Sequence, residues 1–215
     1  DSSFASRRIE FAALEDSHEA LFDRGWTDGL PVVPPTEDRV LKMLAGTSRS
    51  HDEVVAVVPP DLAPCTVEKI AINAVMAGCR PEYLPIVIAA VEAVCTEQFN
   101  MHGLLATTMP HAPVLIINGP IANQIGMNSG NNALGQGNRA NSTIGRAIQL
   151  IIRNVGGGRP GEVDRSTFGS PAKVGFCFAE REHDSPWPPM STTYGFESGT
   201  NTLLAFAGEA PRNLI

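Results

Sequence analysis

The stretch over residues 66–77 is apolar on nearly every side: Val67, Ile70, Ala71, Ile72, Ala74, Val75 and Met76 follow one another with few polar breaks. A surface helix needs only one apolar stripe, so a helix of this kind must be covered on two sides. The rest of the chain has to supply its packing partners. Gly78 suits the end of this helix, and Pro81 suits the first turn of a second one over residues 82–98. There Leu84, Val87, Ile88, Val91, Val94 and Cys95 recur at three- and four-residue spacing.

The same periodicities predict the other elements. Ile9, Phe11, Ala12, Leu14, Leu21 and Phe22 can share one stripe of a helix over residues 7–24. Gly25, Gly29, Pro31, Pro34 and Pro35 make a rigid, non-helical connection. Thr36 is the expected N-cap of a helix over residues 37–45. Val54–Val58, closed by Pro59-Pro60, reads as a buried strand. Leu104–Thr108, Pro113–Asn118, Lys173–Ala179 and Thr202–Ala207 read as further strands. Residues 142–155 form a helix with Ile144, Ile148, Ile151 and Ile152 on one face, stopped by Gly156-Gly157-Gly158. Mixed strands and helices, without repeat or linker, predict one α/β (or α+β) domain over residues 1–215, a layered mixed sheet with packed helices.

Composition excludes some functions. The 215 residues carry a net charge of −7, the wrong sign for non-specific nucleic-acid binding. No apolar run reaches the roughly 18–20 residues of a membrane span. No signal-peptide pattern precedes Phe4. Cys65, Cys79, Cys95 and Cys177 match no zinc or C-x-x-C spacing, so reduced thiols in the cytoplasm are expected. Only 18% of residues are charged, which suits a surface partly covered by another chain.

The densest chemistry lies between Asn128 and Asn154. The loop from Asn128 to Thr143 is rich in Asn and Gly and runs into a helix, with Asn141 or Ser142 as the expected N-cap. Glycines let backbone N–H groups approach a ligand, and a helix start favours negative charge. Arg139 could clamp a carboxylate or phosphate. The loop lacks the Gly-Lys-Ser/Thr of a phosphate-binding P-loop. Cys79 stands at a helix start beside Arg80, where a thiol pKa falls, and Cys65 is a weaker nucleophile candidate. Cys95 and Cys177 read as core. His102 suits proton transfer from a loop, and His111 lies in a turn between predicted strands. No metal motif is present. Arg159 either orients a ligand or pairs at the surface. Glu180-Arg181-Glu182 reads as a solvated strand end.

Several segments also carry a resemblance. They are Gly25–Thr36, Ala71–Tyr83, Arg153–Glu162, Phe176–Glu180 and Ser185-Pro186-Trp187. Together they resemble a bacterial family associated with UGSC-motif (seleno)proteins, over nearly the whole chain. No UGSC or CGSC tetrapeptide occurs here, so that chemistry does not carry over. The resemblance implies motif positions at Cys79, His102, Asn118, Asn131, Arg139 and Arg146, whereas Cys65 and His111 are particular to this chain. Members of that family run on past the position of Ile215. This implies a second polypeptide equivalent to the further segment, through a split gene, cleavage or a hetero-oligomer.

The leading expectation is an enzyme acting on a small polar or anionic substrate, a lyase or hydrolase. Asn128, Asn132, Arg139, Asn141 and Arg146 would bind the substrate. Asn118 and Asn131 would donate hydrogen bonds to developing charge, and Cys79 or His102 would attack or move protons. No cofactor is identified. The alternatives are a non-catalytic subunit of a hetero-oligomer, or a metal or redox protein using Cys79 and His102.

Overall fold

Nine of the eleven residues of the helix Val67–Ala77 are buried, as an all-round apolar sequence requires. The computed structural model describes residues 4–12 and 16–210. In chain order its helices are α1 (Ser17–Asp23), α2 (Glu37–Leu44), α3 (Val67–Ala77), α4 (Leu84–Val94), α5 (Met101–Ala106), α6 (Pro120–Gln124), α7 (Arg139–Asn154) and α8 (Met190–Thr193). The strands are β1 (Val54–Val58), β2 (Ala63–Thr66), β3 (Ala112–Asn118), β4 (Cys177–Ala179) and β5 (Thr202–Gly208). The fold is mixed α/β, as the sequence predicts.

The cover for α3 comes from α2, α4 and α7. Thr66 caps its start by accepting the Lys69 N–H at 3.3 Å, and Gly78 ends it in the left-handed conformation at φ +89°. α7 presses Ile144, Ile148 and Ile151 into the same core. It can cross the segment before β4 closely only because position 145 is glycine: a Cβ there would stand 2.5 Å from the backbone nitrogen of Phe176.

β3 is buried at all seven positions and forms the centre of a three-stranded sheet, parallel to β4 and antiparallel to β5. Alternation divides its side chains. Leu115 and Ile117 join the helical core with Cys177, Ala179 and Leu203, while Val114 meets Phe176 and Phe178 on the other face. Ile117 pairs with Ala179, so Asn118 and Glu180 leave the sheet side by side at the carboxyl ends of the parallel strands.

Several elements differ from expectation for local reasons. Residues 7–12 are not helical, and Leu14 lies outside the described residues. The buried Glu68 carboxylate accepts the N–H groups of Ala5 and Ser6 at 3.1 and 2.9 Å, which holds this arm against the body. α1 begins only after Asp16 caps the His18 N–H. β1 pairs with β2 as a hairpin, with Val54 and Val57 exposed, so it is not a buried strand. Leu104 and Leu105 lie in α5, not in a strand, because Asn100 takes a left-handed conformation and its side chain caps the Gly103 N–H. α4 is shorter than predicted, and Pro81 opens a 3-10 turn before it. α7 starts three residues early because Asn138, not Asn141 or Ser142, is its cap. β4 is shortened by a 3-10 turn at Pro171–Lys173.

The Gly25–Pro35 connection is fastened by one clamp. Arg146 on α7 donates from Nε and Nη2 to the two Asp28 carboxylate oxygens at 2.7 and 2.8 Å, and also to the Pro31 carbonyl at 2.9 Å. Burial alone would raise the Asp28 carboxyl, but the Arg146 hydrogen bonds and charge, helped by the Leu30 N–H, hold it below its ordinary value of 3.8. The clamp therefore contributes fully at neutral pH and is lost as the pH falls through that lowered value. Asp28→Asn leaves the Arg146 charge without its partner. Chemical denaturation at pH 7 should show a loss of about 3 kcal/mol, shrinking toward pH 3.

Candidate functional site

Two depressions frame the functional question. The larger is an open cleft of about 440 Å³ between α2, the end of α3 and the start of α7. Met43 and Val75 are its buried apolar members, with Val33 at the side. Four cations line it: Arg39 and Lys42 from α2, Arg80 just past the α3 cap, and Arg139 at the first turn of α7. Glu82 is the single acidic lining residue.

The local folding explains why these cations converge. Residues 39 and 42 share one face of α2, one turn apart. The left-handed Gly78 turns the chain sharply, so Arg80 follows at the cleft edge. The Gly78 carbonyl accepts Arg139 Nε–H at 2.9 Å, and the Pro34 carbonyl accepts Arg39 Nη1–H at 2.9 Å. Each guanidinium is thus oriented by one backbone bond and keeps further N–H groups for a ligand. Among the described residues none of the four cations forms a salt bridge.

The Asn/Gly loop behaves differently from expectation. Its amides bind the loop itself. Asn128 Nδ2 donates to the Asn131 carbonyl at 2.9 Å, and Asn132 Nδ2 to the Gln136 carbonyl at 3.0 Å. The buried Asn141 side chain accepts the Asn128 N–H and donates to the carbonyls of Asn128 and Ala133 at 2.8 and 3.0 Å. These are turn-closing roles. Asn131 is exposed on the loop and lines neither depression. Arg146 is engaged by Asp28. Of the nine residues singled out from the sequence, Cys79 and Arg139 reach the cationic cleft, and Asn118 reaches the other depression.

Cys79 lines the cleft but is not arranged as a nucleophile. Burial pushes its thiol up to about 12, against smaller opposite effects of the Thr143 hydrogen bond and of Arg139 and Arg146. The thiol donates to the Thr143 carbonyl at 3.3 Å. Cys79 lies between the carboxyl end of α3 and the 3-10 turn Pro81–Tyr83 that leads into α4, and burial outweighs any help from that helix start. Burial likewise pushes Cys65 up to about 12 and Cys95 to about 11, and raises Cys177. His102 is exposed in the first turn of α5 and lines neither depression, so it does not meet Cys79 there. Among the described residues no group of three or more His, Cys, Asp or Glu is placed to hold a metal ion.

Asn118 occupies the second depression, of about 210 Å³, but not as a donor to developing charge. Its Nδ2 already donates to Glu180 Oε2 and, at 2.9 Å, to Glu182 Oε1. Glu182 also accepts the Gly119 N–H at 2.7 Å, and Glu180 the Met190 N–H at 2.9 Å. The sequence predicts a solvated strand end for these glutamates, whereas both are half-buried and hydrogen-bonded to Asn118. The signal was the alternation: Glu180 follows a strand that runs beside Asn118.

With thiols this far above neutral pH, alkylation should be slow. Iodoacetamide at pH 8 should label Cys79, Cys65 and Cys177 only after unfolding, with partly exposed Cys95 the first to react, as peptide mass spectrometry would show. Rapid labelling of native Cys79 would restore it as a nucleophile. No family model, no characterised protein and no solved structure matches this chain.

Proposed function

We propose that the cationic cleft is the substrate site of an enzyme acting on a small anionic compound, of the lyase or hydrolase class. One observation carries the reading: in a chain of net charge −7, four cations and one carboxylate meet in a single cleft, and none of the four is paired within the described residues. Like charges held together lose energy unless an anion joins them, so the arrangement favours a bound carboxylate or phosphate. The guanidiniums of Arg39, Arg80 and Arg139 bind it, and Lys42 adds a point charge. Glu82 is the lining group able to accept a proton, and the cations offset negative charge that develops on the substrate. Of the residues marked by resemblance to the UGSC-motif family, Cys79 and Arg139 line this cleft.

A second reading, a subunit completed by another chain, draws support from large apolar side chains left exposed. Phe168 is 98% and Trp187 76% exposed. Native mass spectrometry of the protein from its source would separate a lone chain from a hetero-oligomer.

Calorimetric titration with malonate and with inorganic phosphate tests the first reading. Arg80→Ala and Arg139→Ala should each weaken binding roughly tenfold, the size of one charge-assisted contact, and raised salt should weaken it further. Asn131→Ala should leave it unchanged. Equal affinity in all three variants would remove the cleft from consideration.

A further inference from the structure

The three-stranded sheet ends on β5, and that edge is open. The neighbouring strand β3 turns the backbone groups of Leu115 and Ile117 toward β4. Leu115 N–H donates to the Phe176 carbonyl at 3.0 Å, and the Ile117 carbonyl accepts the Glu180 N–H at 3.0 Å. Backbone groups alternate between the two sides of a strand, so Val114, Ile116 and Asn118 bond to Phe206, Leu204 and Thr202 of β5. On β5 the N–H and C=O groups of Leu203, Ala205 and Ala207 therefore point away from the sheet. Among the described residues no backbone group bonds to them.

An open edge offers a template to any extended chain, and proteins blunt such edges with bulges, prolines, charges or short length. The other edge strands follow that rule. β4 has three residues, β1 changes register between Val54 and Ala56, and β2 carries Pro64. β5 has none of these devices. Its seven residues, Thr202–Gly208, include no proline and no charge, and they stay in unbroken register with β3.

The strand also matches itself. When two copies meet antiparallel about a two-fold axis at Ala205, Leu203 falls opposite Ala207 of the second copy, and Ala205 opposite Ala205. These are the outward-bonding positions, so each outward N–H of the strand meets an outward C=O and none is left over. Phe206 then stands opposite Leu204 of the second copy at a non-hydrogen-bonded position, where facing side chains approach most closely. This covers a ring that is 42% exposed in the single chain. Just past the strand, Glu209 falls opposite Asn201, so like charges do not meet along the seam.

We propose that two copies of this chain associate through β5, joining their sheets into one continuous sheet across a two-fold axis. The charge of −7 on each copy opposes association at long range. Salt screens that repulsion, so the dimer strengthens as salt is raised, opposite to the effect on an anion in the cleft. The pairing does not involve the cationic cleft and stands or falls separately from it.

Sedimentation velocity of the full chain over about 1–100 µM tests it, together with amide exchange read by NMR. The mass should move from monomer to dimer as concentration rises, and the Leu203, Ala205 and Ala207 amides should exchange more slowly in the dimer. Ala205→Pro removes the central outward donor at a position whose N–H does not serve β3. Phe206→Lys puts a charge where the paired ring stood. Each should raise the dissociation constant at least about tenfold, with circular dichroism and thermal melting checking that each variant folds. Should Ala205→Pro unfold the protein, Phe206→Lys and the exchange data decide the matter. A monomer at every concentration would overturn the proposal and leave the edge to a strand from a different protein. So would a dimer whose affinity is unchanged in the folded variants, or one in which those three amides exchange as fast as in the monomer.

Discussion

Burial of α3 on nearly every side is the constraint that organises this molecule. A helix with so little polar surface cannot lie at the edge, so α2, α4 and α7 close around it. Two consequences reach the surface. The helix must stop abruptly, and Gly78 stops it in a conformation most residues resist. Its carbonyl then meets Arg139 at the start of α7, so the end of one buried helix orients a charged side chain at the start of another. The cationic cleft is a by-product of how the core is sealed.

Charge is distributed in the opposite way to the overall balance. The chain is acidic as a whole, yet its larger cleft is lined by four cations and one acid. Asn118, which lines the smaller depression, joins two carboxylates through its amide, and backbone N–H groups donate to both. Arg146 illustrates the contrast between a charge used for construction and one left available. Its guanidinium is engaged through Nε and Nη2 by Asp28 and backbone carbonyls, whereas those of Arg39 and Arg139 are tethered by one bond each.

The core was legible from the sequence because its signals are local. The apolar run of α3, the Gly78 stop and the isoleucine stripe of α7 each speak for a short window. Failures came where a distant or single-residue contact decided the outcome. The capping side chain of Asn100 turned a strand-like stretch into α5, and Glu68, far along the chain, holds the first residues out of a helix. The site was legible only in part. Arg139 stood out beside its glycines, but Arg39, Lys42 and Arg80 look like ordinary surface charges until α2 and the α3 stop bring them together. The Asn/Gly loop drew attention for its composition, and its amides turn out to close its own turns. Loop chemistry and ligand chemistry use the same side chains, and composition alone does not separate them.

The central claim is that the cleft beside Gly78, not the loop from Asn128 to Thr143, holds the anion. Diffraction from crystals grown in excess malonate addresses it most directly. The account predicts malonate within hydrogen-bonding distance of Arg80 and Arg139, with the loop amides keeping their internal bonds. Malonate seated on the loop backbone, with the cleft occupied by water, would contradict it.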